Sequence, residues 1–247
     1  MTRLDLLPNG YKIFQDPAAF CFGADARLLC AFSKIKKGQS VIDLGTGNGI
    51  IPLLLHKKSL ALRSSHAAGP CRFTGLEIQE AAVRLAKKSV ALNGLEKSIE
   101  IIRGDIRHVD DLFQPQSFDV VVCNPPYMKV QGSTQNESEA KRIARHEILC
   151  GLKDVAAAAS YLLKPNGTFF MVHRPYRLQE IFSAFEKVGL VARRARFVFP
   201  AADKAPEMIL IEAKKNYKKD LKIEAPLVMY QGREYTKEFL EYIKGVS

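Results

Sequence analysis

The chain has 247 residues, 47% of them apolar and 26% charged, with a formal net charge of +11. This is the balance of an ordinary globular protein, long enough for one large domain that buries a core. No apolar run reaches the roughly 18 residues that cross a bilayer, so no membrane partner is expected. The opening Met1-Thr2-Arg3-Leu4-Asp5 lacks the basic-then-apolar layout of a secretory signal, which points to the cytosol. The cysteines (Cys21, Cys30, Cys71, Cys123 and Cys150) are odd in number and without C-x-x-C spacing, so neither a disulfide framework nor a bound metal is expected. The positive charge favours polyanionic partners, but alone it does not separate a nucleic-acid binder from a generally basic surface.

Apolar, β-branched runs predict strands at 40–44, 72–78, 99–105, 118–123, 167–173, 195–199 and 208–213. Helical spacing predicts helices at 50–58, 79–93, 149–163 and 178–188. The second of these repeats Ala82, Leu85, Ala86 and Val90, and Asn93-Gly94 ends it as a C-terminal cap. Lys164-Pro165-Asn166-Gly167 predicts a turn. The alternation predicts a parallel sheet covered by helices on both faces. Only 200–207 separates the last two strands, too short for a parallel crossover, so that pair should be antiparallel. Residues 57–70 are expected to form a surface insertion, 129–145 a mobile substrate loop, and the Lys-rich 214–222 a solvated connector. A single domain is expected: an extension over 1–37, a core over 38–215 and a tail over 216–247.

The run Val41-Ile42-Asp43-Leu44-Gly45-Thr46-Gly47-Asn48-Gly49 passes from a strand into a helix. Its glycines permit a sharp turn and close approach of a ligand, and the helix start offers backbone N–H groups. The spacing is G-x-G-x-G, unlike the G-x-G-x-x-G of dinucleotide enzymes, and no Lys-Ser or Lys-Thr comes after it as a phosphate loop would require. Glu77 ends the next strand, where a carboxylate could hold two ribose hydroxyls, with Ile78 beside it. Asp105 ends the third, where it could accept from an adenine amino group while Ile106 covers the ring. Alternatively, Glu77 and Asp105 merely cap the helices after them.

The strand at 118–123 leads directly into Asn124-Pro125-Pro126-Tyr127. The prolines stiffen the strand exit and remove N–H donors, leaving the Asn124 side chain and the Pro125 carbonyl as fixed acceptors. A planar amino or amide nitrogen is a weak nucleophile because its lone pair is delocalised. Two acceptors gripping its hydrogens would orient it and stabilise the positive charge that grows as it attacks a methyl sulfonium. Tyr127 could stack on an unpaired base. The competing assignment is a plain Asn-Pro turn.

In that order, Asp43 to Gly49, Glu77, Asp105 and Asn124-Pro125-Pro126-Tyr127 resemble the class I S-adenosylmethionine-dependent methyltransferases of the N-Pro-Pro-Tyr branch. The resemblance covers about 41–213. It implies a Rossmann-like α/β fold with a seven-stranded sheet of order 3-2-1-4-5-7-6, strand 7 antiparallel. Finer features resemble the bacterial enzymes that methylate N6 of adenine 37 in a valine tRNA. These are Gln15-Asp16, the segment Phe22-Gly23-Ala24-Asp25-Ala26-Arg27-Leu28-Leu29, Ala144-Arg145-His146-Glu147, and His173-Arg174-Pro175-Tyr176-Arg177-Leu178. By resemblance, Asp43, Gly45, Thr46, Gly47 and Gly49 line the methionine part of S-adenosylmethionine. Glu77 and Ile78 meet its ribose, and Asp105 and Ile106 its adenine. Asn124, Pro125, Pro126 and Tyr127 hold the target base, with Asn124 also touching the cofactor, while Gln15, Phe22, Gly23 and Asp25 close the pocket.

Arg142, Arg145, Arg174, Arg177 and the Arg193-Arg194-Arg196 cluster are candidates for RNA phosphates, each set against an ordinary surface charge. His146 and His173 are the histidines nearest the expected site, with surface or capping roles as the plainer expectation. The expected partner is tRNA, and the expected assembly a monomer or homodimer. Methylation of a protein glutamine amide, methylation of guanine N2 in rRNA, and a non-catalytic RNA-binding role remain open. The short stretch before the glycine loop and the basic charge tilt the acceptor toward RNA.

Overall fold

The computed structural model describes residues 2–16, 23–62, 69–125, 150–216, 218, 220–244 and 246. A hairpin of β1 (Arg3–Leu6) and β2 (Lys12–Gln15) precedes helix α1 (Ala24–Phe32). Strands β3 (Ser40–Leu44), β4 (Arg72–Glu77), β5 (Ile99–Arg103) and β6 (Phe118–Cys123) then alternate with helices α2 (Ile50–Leu60) and α3 (Glu80–Leu92). Helix α4 (Leu152–Leu162), β7 (Leu163–His173), α5 (Leu178–Glu186), β8 (Leu190–Phe199) and β9 (Met208–Lys215) complete the core. The tail holds β10 (Lys222–Ile223), β11 (Leu227–Val228), a small hairpin of β12 (Tyr230–Gln231) and β13 (Glu234–Tyr235), and α6 (Lys237–Lys244).

Among the described residues the central sheet has nine strands rather than seven. Its order is β5-β4-β3-β6-β7-β9-β8, with β10 and β11 both added to the outer side of β8. Strands β3 to β7 run parallel to one another, and β9 is antiparallel to both β7 and β8. Val41, Ile42, Asp43 and Leu44 are all buried, as a central parallel strand covered on both faces requires. Two apolar clusters lie on the two faces. One joins α1, α2, α3 and α6, with Leu29, Leu54, Val90 and Phe239 among its members; the other joins α4 and α5 through Ala159, Leu162 and Ile181. Helix α2 is apolar on nearly every side and correspondingly buried. No helix among the described residues is long and apolar enough to cross a membrane.

Several local expectations change. Helix α2 continues to Leu60, so the start of the expected surface insertion is helical. Within it Lys58 Nζ donates to the carbonyls of Cys30, Ala31 and Ser33 at 2.8, 3.0 and 2.8 Å, closing the carboxy-terminal end of α1. The expected turn at Lys164 to Gly167 lies inside β7, where Asn166 adopts a positive φ of 64° and the pairing with β6 shifts register. Residues of the Lys-rich stretch extend β9 to Lys215 and open β10 at Lys222, so it is not wholly a loose connector.

The largest correction concerns the arginine cluster. Arg194 and Arg196 are only 7% and 8% exposed, so they cannot form a phosphate stripe. Arg194 Nε donates to Glu212 at 2.7 Å, its Nη1 to Glu224 at 3.1 Å and its Nη2 to the Phe32 carbonyl at 2.8 Å, with the guanidinium 3.7 Å above the Phe32 ring. Arg193 also pairs with Glu212. Arg196 bonds the Ala225 carbonyl at 2.9 Å, pairs with Glu238 and lies over the Tyr242 ring. These arginines fasten the tail to β8 and to α1.

Candidate functional site

The chain leaves β3 for β4 and β5 on one side, then returns to β6 on the other. That reversal opens a crevice at the carboxyl ends of β3 and β6, the usual ligand position in such sheets. The strand ends are level: Leu44 pairs with both Leu76 and Cys123, and Glu77 pairs with Arg103. Cys123 Sγ also bonds the Leu44 carbonyl at 3.2 Å. Gly45 and Asn124, the next residues on β3 and β6, therefore emerge side by side at one edge.

Between them the glycine loop is pinned. The amides of Gly45 and Thr46 both donate to the Leu76 carbonyl at 2.9 Å, and the Gly47 amide donates to Glu77 Oε2 at 2.9 Å. Gly45, Gly47 and Gly49 have φ of 75°, 56° and 85°, a region that disfavours side chains. Gly49 also begins α2, and a Cβ there would stand 3.2 Å from that of Ala86. One contributor was not evident from the sequence. A Cβ on Gly75 would lie 2.7 Å from Thr46 Cγ2, so a bare β4 backbone makes room for Thr46. The available signal was a glycine inside a strand.

Asp43 is 1% exposed, and among the described residues neither carboxylate oxygen has a hydrogen-bond partner. Thr46 Oγ1 and Asn48 Nδ2 are likewise buried and unpartnered. Burial pushes the Asp43 carboxyl up to about 7; the nearby Thr46 hydroxyl pulls the other way, and the Glu77 charge adds to the rise. Native proteins seldom leave several neighbouring buried polar groups unsatisfied. Such a cluster, wrapped by glycine backbone, suits a polar and cationic ligand such as the amino-acid end of S-adenosylmethionine.

Glu77 is 6% exposed, and its other oxygen accepts from the Gln79 amide at 2.9 Å. Asp105 accepts from the Arg107 amide at 2.9 Å as the cap of a short 3-10 turn (Ile106–Asp111), and it is ion-paired with Arg107. That pairing holds its carboxyl below the usual range. Asp105 thus caps the helical segment after it, whereas Glu77 holds only the amide of Gln79, the residue that precedes α3; both acids remain on the crevice edge with lone pairs for a ligand. Ile106 Cδ1 reaches to 3.9 Å from where a Cβ on Gly45 would stand, so it flanks the loop, while Ile78 is partly exposed beside Glu77.

Asn124 and Pro125 come directly after β6 and are half-buried. Phe22, Pro126, Tyr127, Arg142, Arg145, His146 and the expected substrate loop at 129–145 lie outside the described residues. His173 ends β7 and is 1% exposed; its Nδ1 accepts from the Arg174 amide at 2.7 Å. Burial, then the Arg177 charge, push the ring down to about 4, so it is a neutral imidazole near pH 7. Gly23 is the N-cap of α1, and Asp25 accepts from the Ala26 amide at 2.9 Å. Gln15 is buried in the β1–β2 hairpin, where its amide donates to Asp5. That hairpin docks on α3: the Lys12 amide donates to Asn93 Oδ1 and the Phe14 amide to Ser89 Oγ, each at 2.9 Å. Among the described residues no group of three or more His, Cys, Asp or Glu side chains is arranged to hold a metal ion.

Comparison with known proteins agrees with this geometry. Residues 35–218 match a family model described as a methyltransferase domain. A tRNA1(Val) (adenine(37)-N6)-methyltransferase of Bacteroides thetaiotaomicron is 28% identical over 240 residues, covering 95% of this chain and 96% of its own. One of the same description from Histophilus somni is 30% identical over 230 residues, covering 93% and 91%. Among solved structures, an Agrobacterium tumefaciens protein titled a predicted O-methyltransferase superposes with a TM-score of 0.69 at 20% identity, covering 90% of this chain and 97% of that one. This last likeness speaks for the fold alone.

Proposed function

The chain belongs to the methyltransferase-domain family, and from that membership we propose that it methylates the exocyclic N6 of an adenine in tRNA, using S-adenosylmethionine. The observation that carries the proposal is the juxtaposition at one sheet edge. The glycine loop, with the buried, unpartnered Asp43, emerges beside Asn124-Pro125. The likeness to relatives described as tRNA1(Val) (adenine(37)-N6)-methyltransferases over nearly the whole of both chains supports the acceptor. By the same likeness the target would be position 37 of a valine tRNA.

When bound, S-adenosylmethionine supplies an electrophilic methyl group on a sulfonium. Asp43, Thr46 and the loop amides would hold its charged methionine end, Glu77 its ribose, and Asp105 with Ile106 its adenine. On the acceptor side, Asn124 Oδ1 and the Pro125 carbonyl accept the two hydrogens of the adenine amino group. This turns the nitrogen lone pair out of conjugation and stabilises the positive charge that builds on the nitrogen. The amino group then sheds one proton to water, so no side chain need act as a general base. Tyr127 would stack on the extruded base.

A direct test supplies purified protein with methyl-labelled S-adenosylmethionine and, separately, total tRNA or a glutamine-bearing release factor. Label in N6-methyladenosine of tRNA is expected. Label confined to the protein would replace this function with amide methylation.

A further inference from the structure

The positive charge of the chain is not spread evenly over it. The parallel strands open at the edge of the sheet opposite the crevice, where Ser40 of β3 is level with Arg72 of β4, and Lys215 of β9 with Leu190 of β8. Lys34, Lys36 and Lys37 lie on the connection from α1 into β3, Arg72 opens β4, Lys187 comes directly after α5, and Lys214 lies one row inside Lys215. All of them are exposed except Lys37 and Lys214, which are half-buried. Among the described residues none of these cations has a carboxylate in ion-pair range. Other lysines build the edge. Lys58 closes α1, Lys164 Nζ pairs with Asp119 at 2.9 Å, and Lys215 Nζ donates to the Ser160 carbonyl at 2.9 Å. The exposed acids there are Glu96, Glu100, Glu186 and Asp220, and the lysines and arginines outnumber them.

The crevice edge is the reverse. Glu77, Asp110, Asp111, Asp154 and Glu207 lie on it, and several of its cations are already paired: Arg103 with Glu80, Arg107 with Asp105, Arg177 with Glu180 and Lys204 with Asp203. A surface that serves solubility alone intersperses the two signs, whereas one sign gathered on one edge sets up a directed field that draws a polyanion. The far edge is also firmly built. The Lys36 amide donates to Gln39 Oε1 at 2.6 Å, Cys71 Sγ donates to the Lys36 carbonyl at 3.2 Å, and the Arg72 amide donates to the Gln39 carbonyl at 3.1 Å. Four strand spacings of about 4.8 Å separate β4 from β9, so the cations from Arg72 to Lys214 span roughly 20 Å. Strands of five or six residues, at about 3.3 Å each, put the two edges a similar distance apart.

We infer that this far edge holds the phosphate backbone of the RNA substrate, at a part of the molecule remote from the methylated base. The inference rests on the RNA acceptor proposed above. A tRNA is larger than the distance between the two edges, so one molecule can present a base at the crevice and phosphates at the far edge. The division of labour is physical. Counterion release supplies much of the affinity for RNA, and it needs cations that are not already neutralised. Lys34, Lys36, Lys37, Arg72, Lys187 and Lys214 meet that need. Lysine ammonium groups meet phosphates as point charges, so the far edge contributes affinity and register rather than sequence choice.

The test neutralises charge in matched pairs. Lys36→Gln with Lys37→Gln, and Lys187→Gln with Lys214→Gln, alter the far edge; Lys87→Gln with Lys88→Gln removes the same charge from exposed positions on α3 and serves as the control. Each protein is checked for an unchanged thermal transition, and total tRNA is titrated in filter binding at several salt concentrations. Each far-edge pair should weaken binding about tenfold and make the salt slope shallower by about one per lysine removed, while the control pair changes either far less. KM for tRNA should rise with the dissociation constant while kcat holds, because these lysines lie away from the reacting atoms. Far-edge pairs that bind tRNA as the control pair does, or as the unaltered protein does, would overturn the inference. So would far-edge pairs that keep tRNA and lose only polyglutamate, which would give the edge to an acidic protein. Failure of the function proposal is separate: it would show as no methyl transfer to tRNA by the unaltered protein, whereas failure of this inference leaves that transfer intact. A chain that binds no RNA at all would remove both.

Discussion

Glu77 Oε2 accepts the Gly47 amide at 2.9 Å, so the acid at the end of β4 and the glycine loop after β3 form one unit. A group that would hold the ribose also sets the shape of the loop that would hold the methionine end. Removing it should damage both. Glu77→Ala is expected to weaken S-adenosylmethionine binding by at least about tenfold, in line with a loss of roughly 1.5–3 kcal/mol on deleting a charged hydrogen-bond acceptor. Isothermal calorimetry measures this directly, and an affinity equal to that of the unaltered protein would detach Glu77 from the cofactor.

The second prediction concerns pH. The Asp43 carboxyl is raised from its ordinary 3.8 to about 7. Between those values the folded protein keeps a proton that the unfolded chain releases, so stability without cofactor should fall as pH rises across the window and level off above it. Asp43→Asn removes that slope: its thermal midpoint should exceed the unaltered protein's at pH 8 and nearly match it at pH 4. A cationic ligand favours the ionised form, so S-adenosylmethionine should bind more tightly at about pH 8 than at about pH 6, with proton release at the lower pH. Equal pH dependence in the unaltered and Asp43→Asn proteins would assign the slope to other groups.

Asn124 separates chemistry from binding. Asn124→Ala should lower kcat by about 100-fold or more, the cost of losing one preorganised acceptor, while changing cofactor affinity little. Stopped-flow or steady-state methyl transfer would show this. Turnover within twofold of normal would take Asn124 out of the mechanism.

Arg194 tests the structural half of the account. It connects β8 to Glu212, Glu224 and the end of α1 from a buried position. Arg194→Ala leaves Glu212 buried with only Arg193 beside it, and should cost about 3–5 kcal/mol in urea unfolding. A loss of tRNA affinity at unchanged stability would instead restore this arginine to the RNA surface.

How far the sequence disclosed this molecule depended on whether each signal was local. Strands 40–44 and 118–123 could be read to the residue, because a buried parallel strand is an uninterrupted apolar run ended by glycine or proline. Asp43, Glu77 and Asp105 were visible as acids at strand ends. The double duty of Glu77 was not, since its Gly47 contact spans 30 residues. Arg194 and Arg196 looked like surface charge because their partners Glu212, Glu224 and Glu238 lie 18 to 42 residues away. The short strands β10 to β13 carry two residues each, too few for any periodicity to register; β10 and β11 exist because β8 offers an edge to pair with, and β12 and β13 because they pair with each other.

Phosphate contact should make RNA binding salt-dependent. The logarithm of affinity for tRNA is expected to fall linearly with the logarithm of salt concentration, by roughly 0.7–0.9 per phosphate neutralised. A flat response in filter binding would argue for an uncharged acceptor.

The most direct measurement is mass spectrometry of nucleosides from tRNA purified from cells with and without this gene. N6-methyladenosine should vanish from valine tRNA without the gene and return when that tRNA is incubated with the purified protein and S-adenosylmethionine. An unchanged N6-methyladenosine peak, together with no transfer to the tRNA in vitro, would contradict the assignment.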